Sequence, residues 1–150
     1  MNIRWVKVSQ GKIAYKSLPI GVYRGGEWSI KINEIKIIGI INLMVGDVDS
    51  DFLIFIDGSL NKHIINLTYE LDGFSSLEAF LFNAYNIKLE EAFYELNDSN
   101  KIIYPRSLKG HALYDSSWKS KLRGFFGLDH VANGKIRQEV IWQMSEYLQK

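Results

Sequence analysis

With 150 residues, 47% of them hydrophobic and 23% charged, and only two prolines, the chain has the size and composition of one folded domain over residues 1–150, not of a disordered segment. The absence of cysteine excludes disulfide frameworks, thiolate zinc sites, iron–sulfur clusters and cysteine nucleophiles, and it suits a reducing compartment. A net charge of +1 conceals three blocks: residues 1–45 carry seven Lys/Arg against two Asp/Glu, residues 46–98 carry two against eleven, and residues 99–150 carry nine against four, an asymmetry that bears on partners and association rates rather than on fold.

The amino terminus, Met1 to Val8, places a charge every third or fourth residue where an export signal needs an unbroken apolar run. The longest apolar stretch, Ile37 to Ile41, is broken by Asn42 and falls far short of the ~20 residues that cross a bilayer. A cytoplasmic protein without a membrane partner is the expectation. Ile3, Trp5 and Val8, then Ile13 to Tyr15, then Val22 and Tyr23 form short β-prone runs separated by Gly11, Pro19 and Gly25-Gly26, and hairpins join such runs most simply. From Trp28 to Ile37 the apolar positions are 28, 30, 32, 35 and 37, so the period of two slips at Asn33-Glu34, where a bulge would restore the inward face. The strand continues to Met44, and Phe52 to Ile56 is too uniformly apolar to have a wet face, which predicts a central strand. Asp57-Gly58 is a turn signal, and Ile64 to Leu67 supplies the return strand.

Helical periodicity follows. Ser75-Ser76-Leu77-Glu78 predicts a serine-capped start, with Leu77, Phe80, Leu81 and Ala84 as the buried stripe. Ala92, Phe93 and Leu96 repeat the spacing in a second helix from about Lys88 to Asn97. Ile102-Ile103-Tyr104-Pro105 reads as a brief extended segment at a sheet edge, because proline lacks a donor for the interior of a sheet. Asp115 can cap a helix over 116–126 bearing Trp118, Leu122 and Phe125, and Ile136, Val140, Met144 and Tyr147-Leu148 define a last helix. Strands followed by helices predict an α+β fold: an antiparallel sheet of about five or six strands, helices mainly on one face, and a helical C-terminal part.

The run "GDVDSDFLIFIDG" sets Asp47, Asp49 and Asp51 at alternate positions. It copies the first half of a calcium loop but holds Phe52 and Gly58 where that loop needs glycine and glutamate. In a strand the three carboxylates share one side, with Val48 and Ser50 on the other. His63, His111 and His130 are far apart and form no ligand motif. The adjacent Glu90 and Glu91 diverge on a helix, and no G-x-S-x-G elbow occurs. Gly21 to Gly26 lacks the lysine-serine pair of a phosphate loop. No cofactor, metal or catalytic set is therefore expected. Arg106, Lys109, Lys119, Lys121 and Arg123, interleaved with Tyr104, Tyr114 and Trp118, have the residue types of a nucleic-acid surface. The helical stripe accounts for Trp118, however, and the acidic middle block opposes a broad phosphate footprint, so nucleic acid is not expected.

The order "DSDFLIFID", "HIINL", a helix, and "IIYPRSLKGHALYD" ahead of a carboxyl-terminal helix, over about residues 35–148, resembles small bacterial toxin-immunity proteins, including those of contact-dependent growth inhibition. The resemblance is one of layout and carries over no residue roles. It implies a non-catalytic protein that binds and neutralises a cognate toxin, for instance a basic nuclease. In this chain the matching surface would be the acidic block: Asp47, Asp49, Asp51, Asp57, Glu70 and Asp72, with Tyr69 as an aromatic anchor and Phe74 either an anchor or core. Two other readings stand beside it. One is a small-ligand protein or enzyme with a pocket between sheet and helices using His111 and Asp115; the other is a structural or adaptor domain.

Overall fold

A computed structural model describes residues 4–19, 25–45, 48–115 and 134–148. Strands β1 (Arg4–Ser9), β2 (Lys12–Ser17) and β3 (Gly26–Lys31) form an antiparallel sheet in the order β1-β2-β3. The first hairpin turns on Gln10-Gly11, both at positive φ (49° and 75°), so that Ser9 pairs with Lys12; a two-residue loop of that hand matches the twist of the strands it joins. Strands β4 (Ile37–Val45), β5 (Val48–Ile56), β6 (Lys62–Asn66) and β7 (Asn100–Tyr104) form a second sheet in the order β6-β5-β4-β7. Helices α1 (Phe74–Tyr85) and α2 (Leu89–Tyr94) lie between β6 and β7 in the chain, and α3 (Gln138–Leu148) follows.

The α+β class, the antiparallel pairing and the C-terminal helix are as expected, but the described residues hold seven strands in two sheets rather than five or six in one. The physical reason lies at the slip in periodicity. Ile32–Glu34 form a single 3-10 turn, with the Ile32 amide bonded to the Gly11 carbonyl on one side and the Lys36 amide bonded to the Ile56 carbonyl on the other. A slip of one in the apolar pattern is what either a bulge or a turn between sheets produces, and here it is the turn.

The four-stranded sheet is a middle layer. Ile37, Ile41, Leu43, Phe52, Ile54 and Ile56 on one face pack with Tyr114, Val140 and Met144, while Ile38, Ile40, Leu53 and Phe55 on the other pack with Val6, Ile13 and Ile30 of the first sheet and with Leu77, Leu81 and Leu89 of α1 and α2. Helices thus cover both faces of the central sheet, not mainly one. This is why β4 and β5 are apolar on both sides: a strand buried on two faces has no wet positions to alternate with. As expected, β5 is interior and β7 is an edge, ending at a cis Tyr104-Pro105 peptide.

Local corrections follow from the same geometry. On β1, Arg4 and Val6 are buried and Val8, on the same side of the strand, is partly buried against the same core, while Trp5 is on the other side. Helix α1 starts at Phe74 behind Gly73 (φ 86°), with no side-chain cap, so Ser75 and Ser76 lie inside its first turn. A Cβ at Gly73 would run into the Val6 carbonyl oxygen, which leaves the position to glycine. Leu77 and Leu81 are buried as expected, whereas Ala84 is exposed. Helix α2 is shorter than predicted. Ile136 precedes α3 and bridges to Tyr114, with Val140 and Met144 buried behind it. The expected run at Val22 and Tyr23 and the helix over 116–126 lie outside the described residues.

Candidate functional site

Alternation along β5 puts Asp49 and Asp51 on one side of the strand and the buried Ser50 on the other. Asn42 lies directly across from Asp51 on β4, and its side-chain amide donates to both carboxylates, at 2.8 Å to Asp51 Oδ1. The Asn42 Oδ1 accepts the Asp98 amide at 2.7 Å, and Asp98 Oδ1 accepts the Met44 amide at 3.0 Å. One buried asparagine therefore uses both its donors on two acids and its acceptor on the loop that follows α2. Burial pushes the Asp51 carboxyl up from its ordinary value; the Asn42 bond opposes this and the neighbouring Asp49 charge adds to it. A single neutral amide leaves the two negative charges close together.

The segment after β6 brings further candidates to this end of the sheet. The Leu67 amide bonds the Asp51 carbonyl at 2.8 Å, and the Asp51 amide bonds Thr68 Oγ1 at 3.3 Å. Tyr69, 36% exposed, and Glu70, exposed, come next. Asp72 joins β1 through main-chain bonds to Arg4 and Val6. The segment is held from below by Arg4, which is 3% exposed. Its guanidinium donates to the carbonyls of Tyr69 (2.8 Å), Glu70 (3.1 Å) and Asn66, and to the hydroxyls of Ser17 (3.1 Å) and Tyr15 (3.4 Å). All of these acceptors are neutral oxygens, so the guanidinium keeps its full charge while its N–H groups are satisfied.

The candidates do not all meet. Asp57 follows the far end of β5, about 26 Å from Asp49 at the ordinary rise of a strand, and its carboxylate accepts from the Ser59 and Asn61 amides and the Asn61 side chain at 2.9, 3.0 and 3.2 Å. It closes its own turn and stands apart from the acidic end. Asp47 lies outside the described residues. Phe74 is half-buried against the core. His63 packs edge-on against Trp28, with ring centroids 5.4 Å apart; His111 is exposed, and His130 lies outside the described residues. Glu90 and Glu91 are exposed on α2, with Glu91 3.8 Å from Lys88. Among the described residues no group of three or more His, Asp or Glu could hold a metal.

Of the basic and aromatic candidates, Tyr104, Arg106 and Lys109 line one cleft beside β7. Tyr114 is buried in the core on the opposite face of the sheet, at 2% exposure, so it cannot stack on a base. Trp118, Lys119, Lys121 and Arg123 lie outside the described residues. His111 and Asp115 do not line the cleft.

Sequence reasoning missed Arg4 and Asn42, the two residues that organise the acidic end. Their signal was a polar residue at an inward strand position, which reads as an interruption of the apolar pattern until its partners are known. The chain matches no family model, no curated protein and no solved structure.

Proposed function

We propose that this is a non-catalytic immunity protein that binds and neutralises a basic protein toxin through its acidic end. The observation that supports this reading best is the pair Asp49 and Asp51 sharing the one Asn42 amide, with no basic side chain within ion-pair distance of either among the described residues. Desolvation already disfavours the charge on Asp51, so an incoming lysine or arginine gains more there than at a fully hydrated carboxylate. Beside the pair, Glu70 and the exposed Tyr69 sit on a segment whose main chain Arg4 holds in place. A loop fixed before binding loses little conformational freedom on association, and tyrosine is a frequent interface anchor.

The chemistry required is recognition, not turnover: the carboxylates raise the encounter rate with a cationic surface and the tyrosine slows departure. The test uses the C-terminal domain of the protein encoded immediately upstream of this chain. Co-expression should restore growth to cells producing that domain. The association rate should fall by about tenfold between low and physiological salt, and by a similar factor in the variant Asp49→Asn, Asp51→Asn, Glu70→Gln. Protection with a salt-insensitive rate that survives the triple change would rule out the acidic mechanism. Absence of both binding and protection would rule out immunity.

A further inference from the structure

We propose that the cleft between α1, α2 and β7 binds a phosphate-bearing small molecule of about nucleotide size, independently of the acidic end. The backbone builds this site from three pieces. Helix α1 ends where Asn86 takes a left-handed conformation (φ 56°), its amide bonding the Phe82 carbonyl and the next amide, of Ile87, bonding the Leu81 carbonyl. This closure turns the chain sharply into α2 and leaves Tyr85 and Lys88 on one wall. The opposite wall is β7, where the register with β4 slips between Ile38 and Gly39. The slip lets Ile103 and Tyr104, though consecutive, both pack on the α1 side of the sheet, as an irregularity of that kind re-aims a side chain. The chain then folds back, the Gly110 amide bonding the Ile102 carbonyl and the Ile102 amide the His111 carbonyl, both at 2.8 Å. The returning loop carries Arg106 and Lys109 to the rim.

The cleft is half-open to solvent and its volume is about 980 Å³, at the upper end of the range for small-molecule sites. Four cations line it, Lys88, Lys101, Arg106 and Lys109, against one carboxylate, Glu91. Glu91 lies 3.8 Å from Lys88, and Lys101, Arg106 and Lys109 have no ion-pair partner among the described residues. Three like charges converging on one concavity repel one another, and a dianionic group relieves that repulsion at all three together. A guanidinium adds paired donors matched to phosphate oxygens, and the lysines add point charges. Tyr85 and Tyr104 contact each other with ring centroids 4.7 Å apart at 58°, and Phe80 braces Tyr85 edge-on at 5.7 Å. They form a rigid aromatic and phenolic wall for the uncharged part of the ligand. The Tyr85 phenol, pushed up by burial and by Tyr104, stays a hydrogen-bond donor at ordinary pH.

A small ligand fits better than a polymer. Helix α2 presents Glu90 and Glu91, with Glu95 just beyond it, all exposed, and Glu91 lines the cleft itself. A long polyanion leaving the cleft past α2 would meet the Glu91 carboxylate on that wall, whereas a compact phosphate group stays among the cations.

The test is a titration of the full chain, followed by amide NMR and calorimetry, with inorganic pyrophosphate, ADP, adenosine and a single-stranded oligonucleotide as probes. Pyrophosphate and ADP should shift amides over 83–88 and 101–109, and adenosine should not. ADP should bind at least as tightly as pyrophosphate. Arg106→Gln with Lys109→Gln should weaken both by about tenfold or more, while Lys12→Gln with Lys31→Gln, exposed on the outer sheet, should change neither by more than about twofold. A thermal melt of each variant separates lost binding from lost folding. The proposal is overturned if neither phosphate probe perturbs the cleft, if the cleft variant binds like wild type, or if the oligonucleotide binds there and pyrophosphate and ADP do not. Weaker binding of ADP than of pyrophosphate would overturn the nucleotide-sized part of it.

Discussion

The guanidinium of Arg4, in the first strand, donates to the main-chain carbonyls of Tyr69 and Glu70, 65 and 66 positions later. The contact ties the outer sheet to the segment that leaves the central one, and it does so with a buried charge that has no carboxylate among its bonded partners. A buried cation surrounded only by neutral oxygens is tolerated because every acceptor is aimed at it; removing the cation strands those carbonyls. Arg4→Met should therefore lower unfolding stability by about 3 kcal/mol or more in a urea titration. Arg4→Lys should recover little, since an ammonium cannot span the same fork of acceptors. Hydrogen exchange at Thr68 to Leu71 should accelerate in both variants, marking the loss of order in the segment that carries Tyr69.

The Asn42 and Asp51 pair sets a pH dependence whose sign is fixed by burial. The native Asp51 carboxyl lies above its ordinary value of 3.8, so the folded state holds this proton more tightly than the unfolded chain does. Its contribution favours folding fully below 3.8 and is lost as pH rises through the native value. Asp51→Asn keeps an oxygen for the Asn42 amide and removes the ionisation. Relative to wild type, the variant should gain stability progressively as pH climbs from 3.8 through the native value of the Asp51 carboxyl, and hold that gain at neutrality. Parallel urea titrations across this range check it. A variant less stable than wild type at neutral pH would show that the charge on Asp51 supports the native state.

Much of the central sheet was legible because doubly buried strands advertise themselves: Phe52 to Ile56 has no polar position, and Pro105 fixes β7 at an edge. The division into two sheets was not, since the break at Asn33-Glu34 has the same one-residue slip as a bulge, and only the pairing of Ile32 with Gly11 and of Lys36 with Ile56 tells them apart. At the acidic end, period two correctly placed Asp49 and Asp51 on one side. It could not show that Asp57, on the same face by parity, is a strand's length away and occupied with its own turn. Nor does any local pattern link Arg106 to Tyr85: their meeting depends on where α1 stops and on the irregularity in β7.

Trp28 joins the two sheets. Its indole donates to the Ile64 carbonyl at 3.0 Å, and its ring meets Tyr15 at 5.5 Å, His63 at 5.4 Å and Phe55 at 6.1 Å. Trp28→Phe keeps an aromatic in the gap but loses the hydrogen bond, and should cost about 1 to 2 kcal/mol. Trp28→Ala empties the contact between the layers and should cost about 3 to 5 kcal/mol. Chemical denaturation followed by far-ultraviolet circular dichroism distinguishes the two. Equal losses would mean that the hydrogen bond, and not the ring, holds the outer sheet in place.

On the other face of the central sheet, Tyr114 closes over Gly134. A Cβ at position 134 would lie 2.5 Å from both Cδ2 and Cζ of the Tyr114 ring, with Cε2 closer still. The ring cannot easily withdraw: it is almost fully buried, it packs with Val140 and Met144, and the Lys62 ammonium, which donates to the Gly134 carbonyl, sits 5.2 Å from its centroid. Gly134→Ala should therefore destabilise the protein by about 1 to 3 kcal/mol through overpacking. Gly26→Ala, with no atom near the added methyl, should stay within about 0.5 kcal/mol of wild type. Tyr114→Leu should cost stability alone yet relieve part of the Gly134→Ala penalty when combined with it, because the smaller side chain vacates the space the methyl needs. A double-mutant cycle by urea denaturation measures that coupling. Strict additivity would show that the glycine is required by its backbone and not by the ring above it.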